Sequence, residues 1–295
     1  MKIPFVLPPL ISGRENPVWD GINFHVGSST FPVLEYDSAQ SGWSDELTSF
    51  HEDVAGDRHF MDRASHRYVL KQVQNFLKSS PSVILEVGCS SGFLLKKIRK
   101  KFPNEVLIGS DVIKKTLYNV HANMQDIPLL RFNLLDCPLY DNSVDMIVML
   151  NVLEHIEDDS TALQQANRIL KPGGVMIIEV PAGTGLYDFY DKSLQHFRRY
   201  SSGSLKTLAE KQGFRVFGQS HLGFFIYPGF WLVKKRNQHL FVLDAEKEKL
   251  KLKAQINAGK NNFLLNALMN FELFLGNYVS YPFGIRCLMT CMKTK

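Results

Sequence analysis

Acidic and small residues lie close together in one short stretch, VILEVGCSSGFL at residues 83–94. An apolar run contains Glu86, and Gly88 and Gly92 follow with small polar residues between them. A glycine-rich turn after a strand is typical of a nucleotide-binding site. Asp111 ends the next apolar run, 19 residues after Gly92. That spacing is close to the ~20 residues expected before a carboxylate that binds ribose hydroxyls.

The spacing of the glycines argues against a phosphate ligand. A dinucleotide fingerprint needs G-x-G-x-x-G, but Ser90 and Phe93 stand where the second and third glycines belong. The stretch does not match a P-loop either, because no Gly-Lys-Ser/Thr follows Gly88. Carboxylates at two neighbouring strand ends would repel a pyrophosphate, but they suit a ligand with ribose hydroxyls and a cationic group. S-adenosylmethionine has both and carries no phosphate, so it is the ligand that we expect here.

Strand-like and helix-like patterns alternate around these motifs. Apolar runs predict strands at 82–88, 105–111, 129–136, from 144 and at 175–182, and amphipathic spacing predicts helices at 66–79, 93–102 and 159–170. Such alternation is typical of an α/β fold with a doubly wound, mostly parallel sheet.

Several segments in this order resemble the class I S-adenosylmethionine-dependent methyltransferases. They are EVGCSSG (86–92), GSD (109–111), FNLLDCPLYDNSVDMIV (132–148), NVLEHIED (151–158) and RILKPGGVMIIEVP (168–181). The resemblance implies a Rossmann-like sheet of about seven strands, with S-adenosylmethionine as cofactor and S-adenosylhomocysteine as product. Serine at 90 and asparagine at 133 depart from the family's usual glycine and aspartate. We expect serine to be tolerated, since only the outer glycines then need left-handed backbone angles.

The resemblance also implies a set of cofactor-binding residues, which are Glu86, Gly88, Gly92, Asp111, Asn133, Leu134 and Asn151. Glu86 would order the turn or face the amino end of the cofactor, and Asp111 would bind the ribose. The Asn133 amide and the Leu134 N–H would contact the adenine edge, and Asn151 would lie near the amino group. Alternatively, Glu86 caps the following helix and Asn151 is a turn residue.

Two histidines are candidates to accept a proton during methyl transfer. His155 follows the fourth predicted strand, and His196 lies in HFRRY (196–200) after the fifth. HFRRY resembles a motif, H-x-R-R-Y, found in a subset of the family. Arg198, Arg199 and Tyr200 are therefore candidates to bind substrate, since arginine holds carboxylates or phosphates with paired hydrogen bonds. The alternative is that an arginine pairs with Asp188 or Asp191 and only pins the loop.

Sequence character divides the chain into an N-terminal extension (1–54), a cofactor-binding core (55–221), an insertion (222–281) and a final core strand (282–295). Strand-like runs at 214–222 and 284–292 enclose the insertion, which holds helical stretches at 244–255 and 263–275. We expect a helical lid in which Phe224 and Phe225 contact the acceptor. Contact with a membrane surface is also compatible with its aromatic and basic residues. The equally weighted alternative is plain packing of its helices against the sheet edge or against a second subunit in a homodimer.

The segment 51–68 resembles the approach to the fold in related proteins, where aromatic and basic side chains close over the cofactor. His59, Phe60 and Arg67 would do so here. For Arg67, an ordinary position on a surface helix is the slightly favoured alternative.

Composition limits the remaining possibilities. The net charge is only +5 without a long basic run, so no nucleic-acid partner is expected. The four cysteines show no paired metal-ligand motif, which favours reduced thiols in the cytoplasm and no metal site. The expected activity is methyl transfer to a small-molecule acceptor, such as a hydroxyl of a glycan, lipid or natural product. The alternatives are a non-catalytic cofactor-binding subunit and an NAD(P)-dependent oxidoreductase.

Overall fold

The computed structural model describes residues 2–10, 13–37, 59–77, 81–238 and 262–294. Its strands are β1 (Val18–Trp19), β2 (Phe24–Val26), β3 (Ser29–Phe31), β4 (Leu34–Glu35), β5 (Val83–Val87), β6 (Val106–Asp111), β7 (Leu129–Arg131), β8 (Val144–Leu150), β9 (Leu170–Pro181), β10 (Phe214–Leu222) and β11 (Arg286–Lys293). The first three form a small antiparallel sheet within the N-terminal extension.

The other strands form one twisted sheet in the order β10-β11-β9-β8-β5-β6-β7-β4. All pairings are parallel except those of β11, which runs antiparallel to both β9 and β10. The predicted mostly parallel sheet is confirmed, with eight strands instead of seven. The additional strand is β4, a two-residue segment of the extension that pairs with β7.

The central strands are aliphatic because both of their faces are covered. β5 is buried at every one of its five positions. Ile84 contributes to the hydrophobic core on one face of the sheet and Leu85 to the core on the other. Parallel strands between two helical layers need this continuous apolar character.

The described helices are α1 (Phe60–Phe76), α2 (Phe93–Lys101), α3 (Lys114–Asn123), α4 (Asp159–Ile169), α5 (Phe189–Ser193), α6 (Ser202–Lys211), α7 (Tyr227–Asn237) and α8 (Phe263–Leu275). Apolar residues of α1, α2 and α3 pack in one core. Those of α4 and α6 pack in the other core, together with the N-terminal extension. The sheet is therefore doubly wound.

The predicted helical insertion between the last two strands is present in the described residues as α7 and α8. Strand β10 coincides with the predicted run at 214–222. Helix α8 packs against α1, and Glu272 in α8 accepts hydrogen bonds from the N–H groups of Gly223 (2.6 Å) and Phe225 (3.2 Å). The insertion is thus anchored to the end of β10. The predicted helix at 244–255 lies outside the described residues.

Two local expectations differ from the structure. The run predicted as one strand at 129–136 is a strand only to Arg131, because Asn133 caps a short 3-10 turn at Leu134–Asp136. The helix predicted to begin near residue 66 begins at Phe60. In the part of the chain that the structure describes, no helix combines the length and the apolar character that crossing a bilayer requires.

Candidate active site

A cavity of about 950 Å³ lies at the carboxyl edge of the parallel strands, with further walls from the start of α1 and from the insertion. The predicted site residues that border it are Glu86, Gly88, Asp111, Asn133, Leu134, Asn151, His155, His196 and Arg199. They follow different strands in the chain and meet because those strands end at the same edge. This is the edge at which open α/β sheets bind ligands.

The glycine-rich turn after β5 is held against the end of β6. The N–H groups of Gly88 and Cys89 both donate to the carbonyl of Ser110, at 2.8 and 2.9 Å. Gly88 has φ of +73°, and a Cβ there would lie 2.4 Å from Cγ2 of Val152. Ser90 also has a left-handed backbone, with φ of +46°. The expectation that only the outer glycines need such angles is therefore wrong.

Gly92 does not border the cavity, contrary to its predicted role in binding the cofactor. It has φ of +72°, and a Cβ there would lie 2.7 Å from Cε of Met124 and 3.1 Å from both methyls of Val120. Glycine at this position lets α2 begin close to α3, so its contribution is to packing.

The carboxylate of Asp111 is fixed by the backbone at the end of β6. Its Oδ2 accepts from the N–H of Ser90 at 2.8 Å, and its Oδ1 accepts from the N–H of Ile113 at 2.9 Å. An ionised carboxylate has about four acceptor positions. This anchoring is therefore compatible with additional hydrogen bonds from two ribose hydroxyls.

Glu86 is the second carboxylate at this end of the cavity, and it is only 5% exposed. Its Oε2 has no hydrogen-bond partner among the described residues. Burial, and secondarily the charge of Asp111, raises the pKa of Glu86 well above its ordinary value. A buried carboxylate oxygen without a donor is costly, so this position favours a ligand with N–H donors or a positive charge.

Asn133 and Asn151 occupy the turns after β7 and β8. The Asn133 amide oxygen accepts from the N–H of Leu135 at 3.0 Å, which fixes the amide beside the cavity. Asn151 has φ of +53°, and its Nδ2 donates to Oε1 of Glu179 at 3.2 Å. Asn151 is thus a turn residue, as the alternative proposed, and it also borders the cavity.

The two candidate proton acceptors lie next to each other. The rings of His155 and His196 are 4.7 Å apart, edge to face. Burial lowers the pKa of His196, although Asp191 opposes this shift, so the imidazole favours its neutral form. Sequence reasoning did not single out Glu154, which is fully buried and has a pKa that burial raises to about 8. One ligand atom from each of Glu154, His155 and His196 lies within 4.8 Å of the others.

A buried charge network supports His196. Its Nδ1 lies 2.9 Å from Oδ1 of Asp191, and Nε of Arg199 donates to both oxygens of that carboxylate. Lys234, from α7 of the insertion, donates to Oδ1 of Asp188 at 2.6 Å and to Oδ2 of Asp191 at 2.8 Å. The Arg199 side chain therefore pins the loop, as the alternative proposed, while also bordering the cavity.

The network separates the pKa values of its two acids. Burial would raise the pKa of Asp191, but the hydrogen bond from His196 and the charges of Arg199 and Lys234 outweigh it and hold that pKa below its ordinary value. Burial raises the pKa of Asp188 despite Lys234, and burial also lowers the pKa of Lys234. Asp191 is therefore the ionised partner of His196.

Two other residues of HFRRY do not border the cavity, contrary to their predicted contact with substrate. Nη1 of Arg198 pairs with Oδ2 of Asp159 at 2.8 Å. The Tyr200 hydroxyl donates to the same carboxylate oxygen at 2.8 Å. Both side chains therefore fasten the loop to the start of α4.

Phe224 and Phe225 also lie outside the cavity lining. Phe224 stacks on Tyr281 with ring centroids 4.9 Å apart and contacts Phe283 at 4.7 Å, while Phe225 lies 5.9 Å from Phe271. They pack the base of the insertion instead. Side chains further along it border the cavity, namely Phe230, Val233, Lys234, Asn237 and Leu265.

The approach to the core also contributes to the cavity wall. His59 and Phe60 border it, as predicted, but Arg67 does not. Arg67 donates to Oδ1 of Asn270 in α8, which fits the surface-helix alternative.

Arg286 at the start of β11 was not predicted as a site residue, although it borders the cavity. It donates to Glu179 and to Asp62 at 2.7 Å each, and to Ser65 at 2.8 Å. These contacts join α1, β9 and β11 beneath the cavity. No local pattern marks such a residue, because its partners are more than 100 positions away in sequence.

Known proteins are similar to this chain over about half of its length. The family described as "Methyltransferase domain" matches residues 58–218, which is more than half of the chain. A "probable S-adenosylmethionine-dependent methyltransferase" of Mycolicibacterium smegmatis is 31% identical over 138 residues, covering 45% of this chain and 52% of that protein. The trans-aconitate 2-methyltransferase of Deinococcus radiodurans is 26% identical over 138 residues, covering 47% and 50%. The chain thus spans about half the length of these curated relatives.

Among solved structures, the phosphoethanolamine N-methyltransferase 2 of Haemonchus contortus in complex with S-adenosyl-L-methionine superimposes with a TM-score of 0.53. The match covers 87% of this chain and 59% of that one, at 16% sequence identity. At this identity the similarity concerns the fold.

Proposed function

The chain belongs to the class I S-adenosylmethionine-dependent methyltransferase family, and from that premise we propose that it transfers a methyl group to a small molecule bound in the cavity. The observation that carries the proposal is the shared cavity. Two acidic strand ends, at Glu86 and Asp111, lie at the cofactor side. A histidine pair and the insertion helices lie on the remaining walls. One space therefore accommodates both a cofactor and an acceptor.

The cofactor side fits S-adenosylmethionine in its donor set. Asp111 would bind the ribose hydroxyls, Glu86 would face the amino group, and Asn133 with the Leu134 N–H would contact the adenine. The Oε2 atom of Glu86 supports this fit, because it is buried with no partner among the described residues. When bound, S-adenosylmethionine supplies a methyl group already activated by its sulfonium. The protein then has to align the acceptor, exclude water and handle the acceptor's proton.

The walls of the cavity would align the acceptor and exclude water from the reacting atoms. Phe230, Val233 and Leu265 present apolar surface from the insertion, and fixing two reactants in a reactive geometry can account for ~7–11 kcal/mol of the barrier. We assign the insertion as a lid on the acceptor side that contributes no cofactor ligand. Replacing residues 224–281 with a short turn is expected to preserve S-adenosylhomocysteine binding and to abolish methyl transfer. Equal loss of both would place the insertion in the core.

The acceptor atom is a hydroxyl oxygen on a glycan, lipid or natural product, in this proposal. Support comes from His155 and His196, since a hydroxyl must give up a proton during transfer and a positioned base contributes ~10²–10⁴-fold. Burial lowers the pKa of His196, which favours the neutral imidazole. Asp191 orients the ring through Nδ1, which leaves Nε2 as the nitrogen that would accept the proton. HFRRY also supports membership in the H-x-R-R-Y subset, although Arg198 and Tyr200 of the motif do not border the cavity, whereas His196, Phe197 and Arg199 do.

The test of the acceptor site is the His196→Ala variant. Turnover of labelled S-adenosylmethionine with pools of candidate hydroxyl acceptors should fall at least ~100-fold, while affinity for S-adenosylhomocysteine stays nearly unchanged. His221→Ala is a matched control, since His221 is also buried but lies outside the cavity lining. Full turnover in His196→Ala would leave this histidine with a structural role. Cofactor binding without turnover of any acceptor by the wild type would favour the non-catalytic subunit.

A peripheral membrane contact remains a second proposal for the insertion. Several large apolar side chains of its helices are exposed, namely Trp231, Leu232, Phe263 and Leu264, and Lys235 and Arg236 stand beside the first two. Apolar side chains flanked by basic ones suit an anionic bilayer surface. Flotation with anionic vesicles at low salt tests this contact, and protein that stays at the bottom of the gradient would exclude it.

A further inference from the structure

One carboxylate and two imidazoles meet at the cavity wall. Glu154 and His155 belong to the 3-10 turn after β8, and His196 comes from the loop after β9. One ligand atom from each lies within 4.8 Å of the others, and all three residues border the cavity. A set of two histidines and one carboxylate is a donor combination that binds divalent transition metals and leaves coordination positions open.

The carboxylate of Glu154 is the strongest indication that this cluster takes a ligand. The residue is fully buried, and neither of its oxygens has a hydrogen-bond partner among the described residues. The cost of burying a carboxylate is high unless a cation or hydrogen-bond donors compensate it. The Glu154 backbone is held in place, since its carbonyl accepts from the N–H of Phe197 at 2.8 Å.

The neighbouring basic groups already have carboxylate partners. Arg199 pairs with Asp191, and Lys234 bridges Asp188 and Asp191. Arg286 pairs with Glu179 and Asp62. Each of these contacts is 2.9 Å or shorter. None of these basic groups is paired with Glu154, so a cation or hydrogen-bond donor for its carboxyl oxygens is left to a ligand.

His196 is arranged as a metal ligand of this kind usually is. Its Nδ1 lies 2.9 Å from Oδ1 of the buried Asp191, which leaves Nε2 as the coordinating atom. A carboxylate behind a histidine fixes the ring and its tautomer and raises the basicity of the other nitrogen. Arg199 and Lys234 in turn hold Asp191.

We propose that Glu154, His155 and His196 bind one divalent transition-metal cation of the zinc class, with its open positions toward the acceptor. Bond lengths of about 2.0–2.2 Å would require ligand atoms roughly 3–4 Å apart, so binding would draw the three side chains together by about 1 Å. The statement that the open positions face the acceptor rests on the proposed function. In this arrangement the Nε2 lone pair of His196 would bind the cation and would not accept a proton. The cation would instead lower the pKa of the acceptor hydroxyl, whose proton would pass to solvent as the oxygen attacks the methyl group.

Direct metal uptake tests the proposal. Protein without a polyhistidine tag is stripped with a chelator, dialysed against Zn²⁺ and analysed for bound metal, with Mg²⁺ in a parallel dialysis. The wild type should bind one equivalent of Zn²⁺ in preference to Mg²⁺. Glu154→Gln and His155→Ala should each weaken the binding at least ~10-fold. His25→Gln is the control, because His25 is an exposed histidine with its own acidic neighbour, Asp20, at 2.7 Å.

Titration with S-adenosylhomocysteine on the same samples keeps this proposal separate from the proposed function. Stripped wild type that binds S-adenosylhomocysteine but takes up no Zn²⁺ would overturn the metal site alone. Unchanged Zn²⁺ affinity in either variant would overturn it as well. Zn²⁺ uptake without any S-adenosylhomocysteine binding would instead contradict the proposed function. Should Glu154→Gln fail to fold, His155→Ala decides, since His155 is only partly buried.

Discussion

Replacing Lys234 with methionine should destabilise the folded chain by about 3–5 kcal/mol at pH 7, the usual cost of removing one partner of a buried ion pair. The Lys234 ammonium lies 2.6 Å from Asp188 and 2.8 Å from Asp191, and the side chains of both acids are fully buried. Methionine keeps the apolar stem and removes only the charge. Asp191 retains Arg199 and His196, so the loss falls chiefly on Asp188.

Protonation of Asp188 limits this loss and gives it a pH dependence. With a reference pKa of about 3.9, protonating one carboxylate costs about 4 kcal/mol at pH 7 and about 1.5 kcal/mol at pH 5. Burial already raises the pKa of Asp188 in the wild type, and loss of Lys234 raises this folded-state pKa further above its unfolded value. The variant should therefore approach the wild type below about pH 5 and lose stability as the pH rises.

Urea unfolding followed by far-UV circular dichroism at pH 5 and pH 7 measures both effects. Lys235→Met is the control, since the hydrogen bonds of its ammonium to the described residues are long, at 3.2 and 3.3 Å. This variant should change stability by about 0.5 kcal/mol or less. Adding Asp188→Asn to Lys234→Met should restore most of the stability at pH 7. A loss below about 1 kcal/mol in the single variant, or one that is equal at both pH values, would refute this account of the network.

Three further predictions concern the cofactor side. Asp111→Ala should lower S-adenosylhomocysteine affinity at least tenfold without unfolding the chain, because two hydrogen bonds to a charged group contribute ~1.5–3 kcal/mol each. Unchanged affinity, measured by calorimetry, would show that Asp111 does not bind the cofactor. Gly88→Ala should abolish S-adenosylhomocysteine binding, since its Cβ would lie 2.4 Å from Val152. Adding Val152→Ala should recover only part of the affinity, because the positive φ remains strained. Full affinity in the single variant would contradict the turn geometry. Because the pKa of Glu86 is raised, S-adenosylhomocysteine binding should release a proton at pH values between the ordinary and the raised pKa of this carboxyl, and binding should tighten as the pH rises through that range. Calorimetry in buffers of different ionisation enthalpy should show this release in the wild type and not in Glu86→Gln.

Local sequence patterns predicted the helices and strands that have a regular apolar pattern of their own. Apolar runs of strand length located β5, β6 and β8, because a strand between two helical layers must be apolar along most of its length. Strand ends in turn located Gly88, Asp111 and Asn151 at one edge of the sheet. A two-residue strand such as β4 has no comparable pattern.

Contacts between distant segments were not predictable in the same way. Lys234 looks like part of a basic surface triplet, yet its partners Asp188 and Asp191 lie 46 and 43 positions earlier. Phe224 and Phe225 were expected at the acceptor because they begin an aromatic segment. A side chain's apolar character predicts burial, but it does not say which neighbour buries it, and here that neighbour is Tyr281 or Phe271.

The most direct test of the central claim is a calorimetric titration of the wild-type chain with S-adenosylhomocysteine and, separately, with NAD. The acidic strand ends at Glu86 and Asp111 predict one S-adenosylhomocysteine per chain and no measurable binding of NAD, whose pyrophosphate they would repel. Binding of NAD, or no binding of S-adenosylhomocysteine by folded protein, would contradict the account.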